Sequence, residues 1–298
     1  MARHPDQVRR APLTGVLAAL VLVAGCAGDT GRDAAAPPPA PVPDGPGRLV
    51  LEVEHVGGFT TPEALAARVP LVAVYGDGRV VAPGAQIEVY PPPALPSLQV
   101  WQLDAEGVQT VVDRAVTAGV TDTADLGSPP VADAPATRFT LVTDAGTSVR
   151  EVPALFELPD DSGLTLEQEA ARGELRGLLE VLTSPEPLGA TGPEPYAATA
   201  VAAVAGPWTP PTDPALLQPE AAWPGPALPG ERLPGGPLTG GADLSCVVAR
   251  GAEADAVLAA AASATTLTPW VAGDGSRWTL TLRPLLPHET GCADLGAR

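Results

Sequence analysis

Lysine is absent from the sequence, so all 17 basic side chains are arginines, and they stand against 35 acidic residues. The formal net charge is −18. Affinity for nucleic-acid phosphates comes largely from basic side chains, and we therefore expect no nucleic-acid partner. Without lysine the chain also has neither a P-loop nor a Ser-x-x-Lys nucleophile.

Histidine is scarce as well: the chain has only His4, His55 and His288. His4 lies in the N-terminal segment, which leaves two histidines for any acid-base role. His288 lies between Pro287 and Glu289, a setting more typical of a surface turn. No serine occupies a Gly-x-Ser-x-Gly elbow. The sequence thus contains no recognisable hydrolase triad, and we predict no catalytic residue.

Several aspartates lie close to glycine, but none has the repeated Asp/Asn ligands of a calcium loop. Asp77, Asp144 and Asp274 fit Asp-Gly turns better. A paired carboxylate site remains an alternative for a group of acidic residues, namely Asp122, Asp125, Asp133, Asp160 and Asp161. We expect no metal site and no cofactor.

The N-terminus has the pattern of an export signal. Arg9 and Arg10 precede an apolar run over residues 13–23, which is shorter than the roughly 20 residues that a membrane-spanning helix needs. The sequence Val23-Ala24-Gly25-Cys26 then resembles the lipobox of bacterial lipoproteins. The resemblance implies cleavage before Cys26, a signal peptide over residues 1–25 and a lipid, such as diacylglycerol with palmitate, on the Cys26 thiol.

Two acyl chains on Cys26 anchor a protein stably, because each buried CH2 group contributes about 0.8 kcal/mol. We therefore predict a lipoprotein of the cell membrane that faces away from the cytoplasm. A plain signal peptide or an uncleaved anchor is the alternative, and the export route, Sec or Tat, stays open. Residues 26–47 are rich in Ala and Pro and are predicted to form a disordered tether.

Cys246 and Cys292 remain after Cys26 is assigned to lipid. An extracytoplasmic compartment favours disulfides, so we predict a bond between these two residues. Two free thiols or a metal pair are the alternatives, although no nearby Cys or His completes a zinc set.

The body has the pattern of an α+β fold in two small regions of antiparallel sheet with helices packed on one side. The predicted domains are residues 48–183 and 196–298, joined by a linker at 184–195. A Pro- and Gly-rich stretch over residues 207–241 interrupts the second domain and is predicted to be disordered or draped over the surface.

Local patterns predict the main elements. Hairpins are expected around Asp77 and around residues 144–146, and a further strand over residues 86–90. Asp104 caps one helix, and Thr165 begins a second helix with capping-box spacing. Strands flank the turn at residues 273–275, which places Trp270 beside Trp278 in the core.

Three strings behind the lipobox resemble uncharacterised actinobacterial secreted lipoproteins: Tyr75-Gly76-Asp77-Gly78-Arg79-Val80, Leu95-Pro96-Ser97-Leu98-Gln99-Val100 and Arg283-Pro284-Leu285-Leu286-Pro287. That family has no assigned activity and implies no site beyond Cys26. We predict a non-catalytic binding or interaction module that recognises an envelope protein or a small ligand. The alternatives are an extracytoplasmic hydrolase that uses carboxylates or His288 and, more weakly, a solute-binding protein.

Overall fold

A computed structural model describes residues 41–43, 45–157, 159, 161–233 and 244–295. These residues belong to one compact unit. The predicted signal peptide, Cys26, most of the predicted tether and Asp160 lie outside the described residues. So do residues 234–241 of the predicted Pro- and Gly-rich stretch.

The described residues form four helices and thirteen strands, with runs of consecutive strands between the helices. The helices are α1 (Pro62–Ala66), α2 (Ala105–Thr117), α3 (Leu166–Thr183) and α4 (Ala252–Ala261). The strands are β1 (Leu49–Val56), β2 (Val72–Tyr75), β3 (Arg79–Pro83), β4 (Leu98–Gln102), β5 (Ala136–Thr143), β6 (Gly146–Pro153), β7 (Thr191–Pro195), β8 (Ala200–Pro207), β9 (Ala221–Ala222), β10 (Glu231–Arg232), β11 (Ser245–Arg250), β12 (Trp270–Val271) and β13 (Arg277–Pro284).

The first sheet has seven described strands in the order β6-β5-β1-β2-β3-β4-β7, all paired antiparallel. One of its faces is covered by α2 and α3. Helix α2 begins at Asp104, whose side chain accepts a hydrogen bond from Gly107 N. Helix α3 begins with a complete capping box formed by Thr165 and Gln168. The apolar stripes of both helices therefore pack against β1 and its neighbours in one core, which includes Val53, Val111 and Leu178.

The second sheet has the described order β10-β11-β8-β13-β12-β9, and only the β12–β9 pair is parallel. Helix α4 packs on one face of this sheet through Val257, in a core that also contains Trp270. Trp270 pairs with Trp278 across the last hairpin, as the sequence predicted. On the opposite face, Leu285 packs in a cluster with Ala66 of α1.

The chain that leaves β13 crosses to the uncovered face of the first sheet. There Leu286 packs with Tyr75, Ala73 and Leu98. Both faces of the first sheet are thereby buried at its centre, and strands buried on both faces are rich in branched apolar residues. The segment that follows β13 is the seam between the two sheets.

The α+β class is confirmed, with four described helices and two largely antiparallel sheets. Both predicted hairpins are present, one between β2 and β3 and one between β5 and β6. No helix among the described residues is long and apolar enough to cross a membrane.

The strand predicted over residues 86–90 is wrong, because these residues form an exposed part of the loop between β3 and β4. Three consecutive prolines follow Tyr90, and they remove the N–H groups that pairing would need. The loop is fixed instead at its far end, where Ala94 N donates to Ala264 O and Thr266 N donates to Pro92 O.

Two Pro-rich segments contain more structure than composition indicates. The predicted linker, residues 184–195, contains strand β7, which pairs with β4. Within the Pro- and Gly-rich stretch, β9 and β10 extend the second sheet at its two edges. Backbone pairing to a preformed sheet neighbour is a tertiary contact, and Pro-rich sequence gives no periodic signal for it.

Candidate functional site

Two deeply buried charged side chains meet where β13 passes into the seam. Arg283 and Glu289 form a two-pronged ion pair: Arg283 Nη2 donates to Glu289 Oε1 at 2.6 Å, and Nη1 donates to Oε2. Their side chains are 1% and 0% exposed. Glu289 Oε2 also accepts from Leu286 N, and Arg283 Nε donates to Arg68 O. These hydrogen bonds satisfy both charged groups from within the protein, so the pair is structural, and we call it the structural lock.

His288 lies beside this lock and contacts the first sheet. Its Nδ1 atom is 2.8 Å from the Tyr75 hydroxyl, and its Nε2 atom is 3.4 Å from Glu52 Oε1. His288 Nε2 has no hydrogen-bond partner among the described residues, so the Glu52 carboxylate is near the ring without a hydrogen bond to it. The arrangement joins a histidine to a carboxylate and a hydroxyl, the three chemical types of a hydrolase triad.

Burial keeps the Tyr75 hydroxyl of this trio protonated and away from solvent. Tyr75 is fully buried, and burial, followed by the nearby carboxylates Glu289 and Glu52, raises the pKa of its hydroxyl far above the ordinary value. The hydroxyl therefore stays protonated and has no open path to a substrate. His288 is 17% exposed and lines none of the four cavities described among these residues. The trio acts as a polar contact between the two sheets.

His55, the other histidine of the body, lies at the end of β1. Its ring meets Phe156 edge-on at 6.3 Å between centroids. Burial, then the positive charge of Arg68, lowers the pKa of His55, and Glu157 opposes this shift. Arg68 itself donates to His55 O and Gly57 O. His55 is thus a neutral aromatic neighbour of Phe156 near neutral pH.

The predicted disulfide is confirmed. Cys246 on β11 is bonded to Cys292, with a Cα–Cα distance of 5.9 Å. It fixes the tail of the described chain to the second sheet, on the face that carries Leu285.

The aspartates predicted as turn residues have local partners. Asp77 pairs with Arg79, and Asp274 accepts from Ser276, which lowers the pKa of its carboxyl. Asp144 lies in the turn between β5 and β6. Among the described residues, no group of three or more His, Cys, Asp or Glu is arranged to hold a metal ion.

Two of the predicted acidic residues each line a cavity beside β6. The groove has a volume of about 440 Å³ and is bounded by loop residues 123–128 on one side and by Arg150, Glu151 and Pro153 on the other. Asp125 lies on the loop side. A second cavity, of about 170 Å³, is also lined by Arg150, together with Asp122. Asp125 and Asp122 thus line two different cavities that share Arg150.

Large apolar side chains are exposed mainly at one end of the first sheet. Phe59 is 88% exposed and follows β1; Phe156 follows β6; and the loop after β3 exposes Ile87, Val89 and Tyr90. Because neighbouring strands are antiparallel, the end of β1, the end of β6 and the end of β3 all meet at the same end of the sheet. We call this the distal apolar end.

The described chain enters at the opposite end. Pro41 O accepts from Asp144 N in the turn between β5 and β6, and Val42 packs against the first core. The distal apolar end therefore points away from the point where the predicted tether joins the body. Sequence patterns alone missed this surface, because the exposure of Phe59 and Phe156 depends on where the strands end.

Similarity to known proteins assigns no role to these residues. No protein-family model, no curated protein and no solved structure matches this chain.

Proposed function

We propose that the protein is a lipid-anchored, non-catalytic interaction module of the cell envelope, held to the membrane through Cys26, whose distal apolar end binds an envelope partner. The observation that carries this proposal is the grouping of exposed Phe59, Ile87 and Tyr90 at the end of the sheet opposite Pro41. Exposed large apolar side chains that gather on one part of a surface are typical of interaction sites.

The length of the predicted tether and the place where it joins the body support the same proposal. The 15 residues from Cys26 to Pro41 span at most about 50 Å, and they join the body at its far end from the apolar surface. A partner located away from the membrane is therefore within reach of Phe59 and its neighbours. Aromatic side chains supply large contact area at such surfaces.

The chemistry of the buried groups supports binding over catalysis. Arg283 and Glu289 satisfy each other, and Tyr75 is held protonated and buried against His288. A nucleophile or general base has to reach the proton that it removes, and the hydrogen-bonding atoms of these groups are directed at one another.

The anchor is tested by metabolic labelling with a radioactive fatty acid and by membrane fractionation. Wild-type protein is expected in the membrane fraction with label, and Cys26→Ser is expected to lose the label and leave the membrane. Cys246→Ser is a suitable comparison, because that cysteine lies in the disulfide. Label that persists in Cys26→Ser contradicts the anchor.

The interaction surface is tested by photocrosslinking in the native cell. A photoreactive phenylalanine analogue at Phe59 is expected to trap a discrete partner. The same analogue at Leu217, which is 52% exposed and lies between β8 and β9, is expected to trap none. Equal crosslinking at both positions, or none at Phe59, contradicts the distal apolar end as the binding surface.

A further inference from the structure

Strand β6 is an open sheet edge, unlike the other three edges of the described sheets. The second sheet ends in β9 and β10, which have two residues each. At the other end of the first sheet, β7 contains Pro193 and Pro195, and prolines protect an edge against further pairing. Strand β6 has eight residues and no proline before Pro153. An edge of this kind is a template for another strand.

The backbone groups that face outward can be assigned from the hairpin register. Thr143 pairs with Gly146 around a tight turn, and the pairing continues without a bulge to Pro153. In an antiparallel ladder, alternate residues turn their N–H and C=O groups away from the partner strand. For β6 these are Thr147, Val149 and Glu151, all exposed. No described backbone group outside the strand pairs bonds to their N–H groups.

Two arginine side chains of α3 donate hydrogen bonds to the backbone carbonyls at the end of β6. Arg172 Nη2 donates to Pro153 O at 2.7 Å and to Ala154 O at 2.6 Å, and Arg176 Nη1 donates to Leu155 O at 3.2 Å. The carbonyls after β6 are therefore already occupied. The open stretch runs over residues 147–151, about 17 Å at the usual strand rise.

The groove along this stretch has one wall formed by the loop of residues 123–128, and hydrogen bonds hold that loop in place. Arg150 extends from β6 to the loop, where Nη1 donates to Asp122 O at 2.7 Å and Nη2 donates to Ala124 O. The loop is also held by Asp125, which accepts from Gly127 N and from Gln168 Nε2. The groove volume of about 440 Å³ lies within the roughly 300–1,000 Å³ of ligand sites.

Acidic side chains border the same groove. Asp125 lines it from the loop and Glu151 from the strand. Arg138 is 2.6 Å from Glu151 and 3.5 Å from Glu54, so two carboxylates share one guanidinium. The Arg150 guanidinium is directed to backbone carbonyls. The charged residues that line the groove are Asp125, Glu151 and Arg150, a formal net charge of −1. The whole chain carries −18, so the charge of the protein favours a basic partner over a second copy.

We propose that β6 is a peptide-binding edge, which accepts an extended polypeptide segment as an additional antiparallel strand. The segment carries a β-branched residue opposite Val149 and an arginine or lysine opposite Glu151, because cross-strand neighbours on one face contact directly. Backbone hydrogen bonds to Thr147, Val149 and Glu151 hold it in register, as in other cases of strand addition. This surface is separate from the distal apolar end, so either proposal can fail alone.

The test uses the full chain in detergent and the probe acetyl-Arg-Thr-Val-Thr-Thr-amide, followed by amide NMR titration. Wild-type protein is expected to bind it, with slowed hydrogen exchange at the N–H groups of Val149 and Glu151. Val149→Pro removes an outward N–H and leaves the β5–β6 ladder intact, so binding is expected to weaken about tenfold or more. Val149→Thr is the matched control that keeps the N–H, and it is expected to bind as wild type does.

Four further measurements separate the effect of charge from self-association. Glu151→Gln and the probe with Glu in place of Arg are both expected to weaken binding, and the effect is expected to shrink at high salt. Absence of binding at about 1 mM probe, equal binding by Val149→Pro, or equal binding of the acidic probe overturns the proposal. Sedimentation that shows a dimer abolished by Val149→Pro also overturns it, because the occupant is then a second copy.

Discussion

At the scale of single residues, the seam depends on charges that are satisfied only when the molecule is folded. The Arg283 guanidinium donates hydrogen bonds to Glu289 and to Arg68 O, and its side chain is 1% exposed. A buried ion pair contributes little against an apolar replacement, but breaking it leaves an uncompensated charge in a medium of low dielectric. Single and double substitutions at this pair should therefore differ sharply.

Glu289→Gln is expected to lower the free energy of unfolding by about 3 to 5 kcal/mol, measured by urea denaturation. Arg283→Met combined with Glu289→Leu is expected to recover much of this loss, since neither variant side chain carries a charge. The control is Glu151→Gln, whose carboxylate pairs with Arg138 at the surface and whose loss should cost about 1 kcal/mol or less. Equal losses for Glu289→Gln and Glu151→Gln would contradict the structural role of the buried pair.

The lowered pKa of His55 predicts that the stability of the protein depends on pH. Its pKa is lowered in the folded state by burial and by Arg68, so the unfolded chain binds more protons between the lowered pKa and the ordinary value of about 6.5. Stability is then expected to fall as pH falls through that window. His55→Gln should lose less stability than wild type between about pH 7 and pH 5, as measured by thermal unfolding. Parallel curves for the two proteins would rule out this contribution.

At the scale of elements, side-chain caps determine where two helices begin, and the disulfide holds the C-terminal part of the described chain to the second sheet. Asp104 and Thr165 begin α2 and α3 as side-chain caps, and a cap of this kind is worth about 1 kcal/mol. The disulfide acts on a longer stretch, because Cys246 and Cys292 are 46 residues apart. That loop includes α4 and the hairpin of β12 and β13.

Replacing both Cys246 and Cys292 with alanine is expected to lower the free energy of unfolding by about 3 to 4 kcal/mol, since the unfolded chain regains the entropy that the cross-link removed. Urea denaturation of the variant and of wild type measures this difference. Asp104→Ala, expected to cost about 1 kcal/mol, provides a comparison of known mechanism. A double variant as stable as wild type would mean that the cross-link adds nothing.

At the scale of the whole molecule, the seam should make the two sheets unfold together. Leu286 and His288 come from the chain after β13 but contact the first sheet. Elements that share a buried interface open as a cooperative unit. The sequence predicted two domains, and the seam is the contact that decides whether they behave as one.

Amide hydrogen exchange measures this cooperativity. Val53 in β1 and Val204 in β8 are both fully buried, and their amides are expected to exchange only through global unfolding, with equal free energies of opening. In Glu289→Gln both values should fall together. Two separate values in wild type would show that the predicted domains, residues 48–183 and 196–298, unfold independently.

Local sequence patterns predicted the α+β class, the caps at Asp104 and Thr165, both hairpins, the pairing of Trp270 with Trp278 and the disulfide. Each of these depends on residues close together in the chain or on a forced choice between two cysteines. The lipid anchor at Cys26 is likewise a prediction from the N-terminal sequence, and it lies outside the described residues.

Only the tertiary structure decided which surfaces are open. Phe59 and Phe156 share an end of the sheet because β1 and β6 run in the same direction, and β6 is an edge because of the strand order. Likewise, Tyr75 and His288 are 213 residues apart and meet across the seam. Hydrophobic periodicity specifies which face of a strand is buried, but strand order and long-range contacts depend on the packing of the complete chain.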